Sequence, residues 1–149
     1  MSKQQVLIVD DNDATCTLVN AILHRDFAVE VASDGAEAVE KLKARDYAAI
    51  LLDIRMPVLD GYAVLEFLAA NRPELLARTL VVTGALSTRE LDRVRQHPVC
   101  GVVAKPFEVE TLLSAVRQCA GSDRSFGGAR FFSSGMILLL AEAIRQRWI

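Results

Sequence analysis

The stretch Val6-Leu7-Ile8-Val9-Asp10-Asp11 decides the fold, because four apolar residues stop abruptly at two carboxylates. Short runs rich in Val, Ile and Leu are typical of strands that are buried on both faces of a parallel sheet. The same pattern recurs at residues 48–52, which end at Asp53. The repeated pattern predicts a parallel sheet whose strands end in polar side chains.

Two further apolar runs end in the same way. Residues 80–82 are followed by Thr83, and residues 100–104 are followed by Lys105. A fifth strand, at residues 27–32, completes the predicted sheet. Because chemistry in open parallel sheets gathers at the carboxyl ends of the strands, three carboxylates, a hydroxyl and an ammonium are expected on one rim.

Helical patterns alternate with these strands, which is typical of five βα units and of an α/β fold. The first helix is predicted to have Asn12 or Asp13 as its N-cap and to place Leu18, Ile22 and Arg25 on one stripe. The fourth is predicted to open with a capping box over residues 87–90. The predicted buried stripe of the fifth helix consists of Val109, Leu112, Leu113 and Val116.

Composition limits the class of protein. A chain of 149 residues with 52% hydrophobic content supports one domain with a short appendage. The net charge of −2 gives no basic field for direct nucleic-acid binding. The N-terminus lacks the apolar core of a signal peptide, and the longest apolar run, residues 136–141, is too short to span a bilayer. We therefore expect a cytoplasmic protein.

The cysteines carry no metal-binding pattern. Cys16, Cys100 and Cys119 are scattered and odd in number. This arrangement predicts buried thiols in a reducing compartment.

A domain boundary is expected near Gly121, where Gly and Ser become frequent. Residues 1–121 are interpreted as the domain, and residues 122–149 as a linker plus a short apolar, helix-like tail. The helical pattern at the end of the tail, residues 136–148, is about as short as an isolated helix in water can be. It is therefore expected to dock on its own domain or on a second protomer, or else to fray.

The predicted rim has the chemistry of phosphoryl transfer to a carboxylate. Asp10, Asp11 and Asp53 place like charges together, which a hard cation such as Mg²⁺ relieves. Lys105 supplies a positive charge for a phosphoryl oxygen, and Thr83 supplies a hydroxyl donor. Such catalysis rests mainly on positioning and charge stabilisation.

Each of these residues also has an ordinary structural interpretation. Asp11 is compatible with turn chemistry or helix capping, and Asp53 with a loop carboxylate. Thr83 suits a strand, and Lys105 suits a surface turn. Their joint placement at the ends of strands one, three, four and five favours the functional interpretation.

With these residues in these positions, the chain resembles the receiver domain of two-component response regulators over about residues 4–120. The matching segments are Val6-Leu7-Ile8-Val9-Asp10-Asp11-Asn12, Leu51-Leu52-Asp53-Ile54-Arg55-Met56-Pro57-Val58-Leu59-Asp60-Gly61, Val81-Val82-Thr83-Gly84-Ala85 and Ala104-Lys105-Pro106-Phe107. The resemblance implies a doubly wound, flavodoxin-like fold with a five-stranded parallel sheet in the order 2-1-3-4-5. It also implies a cis Lys105–Pro106 bond.

The resemblance further assigns roles to the residues of the rim. Asp53 is the expected acceptor of a phosphoryl group from the phosphohistidine of a histidine kinase or a histidine phosphotransfer protein. Asp10, Asp11 and Asp53 are expected to hold Mg²⁺ together with the backbone carbonyl of Arg55. Thr83 and Lys105 are expected to contact the phosphoryl group, with the Thr83 contact driving the switch. The protein is then a phosphoacceptor that assists its own phosphotransfer and dephosphorylation, and not an enzyme acting on a separate substrate.

Two departures from the family pattern leave alternatives open. Val102 stands where the family usually has Tyr or Phe, so the chain lacks the aromatic ring on which the usual switch depends. An interaction module independent of phosphorylation is one alternative. Only 29 residues follow the fifth helix, so the chain is either a stand-alone switch or a piece of a longer regulator or hybrid kinase. A downstream protein and a homodimer partner are both left open. A phosphatase of the haloacid dehalogenase type is disfavoured, because Asp10-Asp11-Asn12-Asp13 does not place its acids in that pattern.

Overall fold

Each of the five predicted strands forms in the computed structural model, which describes residues 2–121 and 130–131. The strands are β1 (Gln4–Val9), β2 (Phe27–Ala32), β3 (Ala49–Leu52), β4 (Thr79–Thr83), β5 (Gly101–Ala104) and a short β6 (Arg130–Phe131). They form one sheet in the order β2-β1-β3-β4-β5-β6, and every neighbouring pair is parallel. The predicted order 2-1-3-4-5 is confirmed, and β6 extends it.

Five α-helices connect the strands, and side-chain caps explain where four of them begin. The helices are α1 (Asp13–Leu23), α2 (Gly35–Ala44), α3 (Gly61–Asn71), α4 (Thr88–Arg95) and α5 (Val109–Ala120), with a 3₁₀ helix at Pro73–Arg78. Asn12, Asp34, Asp60 and Ser87 each accept a hydrogen bond from a backbone N–H in the first turn of the following helix. These bonds satisfy donors that the helix itself leaves unpaired.

The sheet separates two apolar cores. On one face, side chains of β1, β3, β4 and β5 pack against α2, α3 and α4, with Leu42, Leu65 and Leu91 among the buried helix residues. On the other face, the sheet packs against α1 and α5, with Val19 and Leu112 buried. The central strands are therefore covered on both sides, as their continuous apolar sequences require. No helix in the described part of the chain is long and apolar enough to cross a membrane.

Two of the predicted helix stripes were partly wrong. In α1 the buried residues are Cys16, Val19 and Leu23, whereas Leu18 is 51% exposed. In α5 the first residue of the predicted stripe, Val109, is also 51% exposed. Each helix carries more apolar residues than one face can bury, so the position of the sheet decides which of them turn inward.

The sixth strand begins beyond the predicted domain boundary. Arg130 stands beside Gly101, and Phe131 stands beside Val102, in parallel register on the outer edge of β5. The sequence had predicted only a linker over residues 121–135. The remaining tail residues, with the predicted helix at 136–148, lie outside the described residues.

The expectation of three free thiols was also wrong. Cys100 and Cys119 form a disulfide that joins the residue before β5 to the last turn of α5, while Cys16 is free and buried. The two residues are 19 positions apart, and only the packing of α5 against the sheet brings them together.

Candidate functional site

Backbone hydrogen bonds that continue past the strands fix the rim residues in place. The N–H of Asp10 donates to the Ala32 carbonyl at the end of β2, and the N–H of Asp53 donates to the Val9 carbonyl at the end of β1. The N–H of Lys105 donates to the Thr83 carbonyl at the end of β4. Each of these residues is therefore held by the strand beside it, and its side chain begins from a rigid position.

Asp53 lies at the centre of the group and is 7% exposed. Its Oδ1 accepts hydrogen bonds from the Thr83 hydroxyl at 3.1 Å and from the backbone N–H of Arg55 at 3.2 Å. Its Oδ2 lies 3.5 Å from the Nζ of Lys105. Donors from three separate segments thus surround a single carboxylate.

Lys105 bridges the two buried carboxylates. Its Nζ donates to Asp10 Oδ2 at 2.6 Å, which is shorter than its distance to Asp53. The other oxygen of Asp10 accepts from the backbone N–H of Asn12. With Asp11 nearby, three carboxylates and one ammonium leave a net charge of −2 at the rim.

The electrostatic balance at Asp53 favours compensation by a cation. Burial raises the pKa of Asp53, while the charge of Lys105 and the N–H of Arg55 lower it, and the net shift is upward. A buried carboxyl with a raised pKa carries its negative charge at a cost in free energy. An additional positive ion at this position would therefore stabilise the ionised form.

The donor set fits a hard divalent cation. One carboxylate oxygen each of Asp10, Asp11 and Asp53 lies within 4.8 Å of the others. Asp10 and Asp53 are buried while Asp11 is exposed, so the cluster opens on one side to water. Oxygen ligands together with retained water match the preference of Mg²⁺. The expected contribution of the Arg55 carbonyl stays a prediction.

Glycine is required where α3 begins beneath the acceptor. A Cβ built on Gly61 would lie 2.5 Å from the Asp53 carbonyl oxygen and 2.6 Å from the Ile54 Cα. The N–H of Gly61 also donates to the Ile54 carbonyl. The close approach of backbone to backbone supports the Asp53 loop from below. Gly84, by contrast, has no atom within 4 Å of such a Cβ, so there is open space beside Thr83.

The structure adds residues that sequence reasoning missed. The side chain of Arg55 reaches the Ala85 carbonyl and the Glu90 carboxylate, although only its backbone had been given a role. Glu90 had been noticed only as a helix cap. The pairing of an arginine with an acid 35 residues later has no local sequence signal.

Cys16 also lies near the rim but has no part in its chemistry. Its thiol donates to the Asp10 carbonyl, and burial, with a smaller contribution from the charge of Asp10, raises its pKa to about 11. A thiol in this state stays protonated and unreactive.

Comparison with known proteins identifies the family. The sequence profile of the response regulator receiver domain matches residues 6–117. The chain belongs to the response regulator receiver family. A receiver of this kind has a phosphoacceptor role in two-component signalling.

Solved receivers have the same fold. The receiver domain of the sensor histidine kinase PA1611 from Pseudomonas aeruginosa superposes with a TM-score of 0.73 at 29% identity, covering 81% of this chain and all of that one. That domain carries a magnesium ion in its active-site cleft. The chemotaxis protein CheY4 of Vibrio cholerae superposes with a TM-score of 0.71 at 27% identity, covering 79% of this chain and 99% of that one.

Curated relatives are longer than this receiver. The regulatory protein VanRB of Enterococcus faecalis is 32% identical over 143 residues, which are 95% of this chain and 62% of VanRB. A protein-glutamate methylesterase/protein-glutamine glutaminase of Geobacter metallireducens is 40% identical over 126 residues, which are 77% of this chain and 35% of that protein. The receiver therefore corresponds to only part of these relatives.

Proposed function

We propose that the protein is a phosphorylatable switch of a two-component phosphorelay, in which Asp53 accepts a phosphoryl group from a phosphohistidine. The observation that carries the proposal is the environment of Asp53. It is a buried carboxylate that receives donors from Thr83, Arg55 and Lys105, which belong to three different segments.

The transfer is a displacement at phosphorus. An oxygen of the Asp53 carboxylate attacks, the new O–P bond forms, and the N–P bond of the phosphohistidine breaks. The bonding electron pair returns to the imidazole nitrogen, and the ring takes up a proton from solvent. Because the group transferred carries charge on its three outer oxygens, the site acts mainly by positioning and by charge compensation.

Lys105 and Thr83 are the protein groups that meet this charge. The Lys105 ammonium already lies between Asp10 and Asp53, so a short displacement toward Asp53 brings it to a phosphoryl oxygen. The Thr83 hydroxyl, which donates to the unmodified carboxylate, is in reach of the same group and would carry the signal into the loop after β4.

Mg²⁺ is the proposed cofactor, held by Asp10, Asp11, Asp53 and the carbonyl of Arg55. When bound, it neutralises carboxylate charge and stabilises the negative charge of the transferred group. The donor cluster supports this assignment, as does the magnesium ion in the PA1611 receiver.

Hydrolysis of the acyl phosphate restores the resting protein without a separate catalyst. A water oxygen attacks phosphorus, the acyl O–P bond breaks, and Asp53 leaves as a carboxylate while inorganic phosphate departs. The protein thus assists its own phosphorylation and dephosphorylation and is not proposed to act on another substrate.

The partners follow from this chemistry. The protein itself is proposed to be cytoplasmic. Upstream stands a histidine kinase or a histidine phosphotransfer protein, and downstream stands a protein that distinguishes the two states. Whether the chain acts alone or as part of a longer regulator depends on its gene context, which is the measurement that separates these alternatives.

Labelling with a small phosphodonor tests the acceptor. With acetyl phosphate and Mg²⁺, the wild-type protein should form an acid-stable, base-labile acyl phosphate, and Asp53→Ala should form none. Asp13→Asn is the matched control, because Asp13 is an exposed acid in the first turn of α1, outside the carboxylate cluster. Labelling of Asp53→Ala at the wild-type level would overturn the assignment.

The competing function is that of an interaction module that binds its partner independently of phosphorylation. It is considered because Val102 replaces the usual aromatic residue. It predicts that the protein binds no fluoride–beryllium complex in the presence of Mg²⁺. Saturable binding that Asp53→Ala abolishes would support the phosphorylated switch instead.

A further inference from the structure

Arg55 is attached to the site at one end and to α4 at the other. Its backbone N–H donates to Asp53 Oδ1 at 3.2 Å. Its guanidinium Nη2 donates to the Ala85 carbonyl at 2.9 Å and lies 3.2 Å from Glu90 Oε2. One residue therefore connects the acceptor loop to the segment that follows Thr83.

The two groups that the Arg55 side chain contacts lie in the loop before α4 and in the first turn of that helix. Ala85 lies two residues beyond Thr83, in the loop that leads to the helix. Glu90 lies in the first turn of α4, where its Oε2 also accepts the backbone N–H of Ser87 at 2.8 Å. Its own N–H donates to the Ser87 hydroxyl, which completes the capping box. Arg55 thus holds the N-terminal turn of α4 through the cap itself.

The buried part of this helix is small. The helix has eight residues, of which Leu91 and Val94 are buried. The hydroxyl of Tyr62 donates to the Glu90 carbonyl at 3.3 Å, and the Arg93 guanidinium lies 3.9 Å from the centre of the Tyr62 ring. A short helix with two buried side chains opens more readily than the long helices of the same domain. The Arg55 contact therefore matters for keeping α4 in place.

We infer that Arg55 is a latch that pairs with Glu90 in the resting protein and moves to the phosphoryl group on Asp53, thereby releasing α4. The inference rests on the proposed phosphorylation of Asp53. Phosphorylation adds about −1.5 to −2 charges and three acceptor oxygens two residues from Arg55. A guanidinium pairs with such a group more strongly than with one half-buried carboxylate. The side chain of Arg55 is 59% exposed, so it is free to change partner.

The latch makes a directional prediction, because Glu90 competes with the phosphoryl group for Arg55. A ligand shifts an equilibrium only by its different affinity for the two states. Removing the competitor should tighten binding of the fluoride–beryllium complex, a stand-in for the phosphoryl group, while removing Arg55 should weaken it. An exposed ion pair limits the change to roughly two- to fivefold.

The experiment compares wild type, Glu90→Gln, Arg55→Ala and the double variant. Each is titrated calorimetrically with fluoride–beryllium in the presence of Mg²⁺, and amide exchange of α4 is measured in each. Glu90→Gln keeps an oxygen that accepts from Ser87 but loses its charge. It should bind the complex more tightly than wild type and show faster exchange at residues 88–95 before any ligand is added. Arg55→Ala should bind more weakly. In the double variant, the effect of Glu90→Gln should disappear, because the charge it removes no longer has a partner.

The matched control is Glu66→Gln. It removes the same charge from an ion pair between α3 and α4, the 3.8 Å contact of Glu66 with Arg93, and does not involve Arg55. It should leave the affinity at the wild-type value. The latch is excluded if Glu90→Gln behaves like Glu66→Gln, or if its effect persists without Arg55. Absence of any binding by wild type would instead overturn the proposed phosphorylation, so the two failures are distinguishable.

Discussion

Asp53 carries its negative charge against the preference of its surroundings. Burial is the largest influence on its pKa, and the opposing effect of Lys105 does not cancel it. The ionised carboxylate therefore lowers the stability of the fold at the position of the proposed phosphoryl acceptor. Such perturbed groups are common at functional sites.

This imbalance predicts a pH-dependent gain in stability for Asp53→Asn without metal. A carboxyl whose pKa is raised by folding stabilises the fold below its unfolded-state pKa, and this contribution is lost as the pH rises through the folded-state pKa. At neutral pH the neutral amide should therefore increase the free energy of unfolding by roughly 1 kcal/mol. Urea denaturation in the presence of a chelator, at neutral pH and in acid, measures the difference in the free energy of unfolding between Asp53→Asn and wild type. This difference should shrink in acid. A variant that is less stable than wild type at neutral pH would contradict this account.

Removal of the Lys105 side chain should have the opposite effect on metal-free stability. Lys105→Ala leaves Asp10 and Asp53 without their shared cation, and should lower metal-free stability by roughly 1–3 kcal/mol, since the ammonium is partly exposed. Mg²⁺ should still bind and should restore more stability than it adds to wild type, whereas phosphorylation by acetyl phosphate should slow. Lys43→Ala, in an exposed pair with Glu40, is the control. Unchanged stability and labelling would make Lys105 a surface residue only.

At the scale of elements, α4 and β5 differ in how firmly they are held. Every residue of β5 is buried, and Val102 is 3% exposed within the core beside α4. A small β-branched side chain has few rotamers and cannot swing a ring between a buried and an exposed position. The loop after β4 and α4 are therefore expected to carry the conformational change.

Amide exchange with and without fluoride–beryllium tests that expectation. Changes in protection should concentrate at residues 83–95, and β5 should change little. Val102→Ala is a useful companion, because it should lower stability without moving the location of the change. A response centred on residues 100–104, with α4 silent, would show that β5 carries the switch despite Val102.

The elements also show how far the sequence predicts this molecule. Most of the strands were predictable, because uninterrupted apolar runs require burial on both faces and their polar ends must share an edge. Their order was what the resemblance to the receiver family implied. The structure brings Asp10, Asp53, Thr83 and Lys105 together as that reasoning expected. Their roles in phosphorylation stay predictions.

What the sequence did not predict depends on tertiary contact. Leu18 and Cys16 both fit a buried stripe of α1, and only the position of the sheet chooses between them. The Cys100–Cys119 bond and the Arg55–Glu90 pair join residues from different elements. Single-sequence periodicity carries no information about such pairs.

At the scale of the whole molecule, the tail matters because part of it joins the sheet. Deleting residues 122–149 removes β6 from the edge of β5 and should lower the melting temperature by a few degrees, equivalent to roughly 1 kcal/mol. A second truncated protein that ends at residue 131 retains β6 and separates its contribution from that of the remaining tail. Sizing chromatography on the same proteins tests whether the tail joins two protomers in a homodimer. Identical melting and sizing profiles for the full chain and the shorter protein that lacks residues 122–149 would indicate that the tail only frays.

The position of β6 has a consequence for aggregation. An open strand edge is a template on which another chain can add a strand, and fibril-forming contacts use six or seven residues. On β5, Gly101 and Val102 are paired with β6, and Pro106, which has no N–H to donate, follows two residues after Ala104. In the described part of the chain, this leaves Val103 and Ala104 as the only residues of β5 that an added strand would find open. Ordered, dye-binding aggregation that starts from this edge should therefore follow the loss of β6, and on heating it should begin at a lower temperature in the protein that lacks β6.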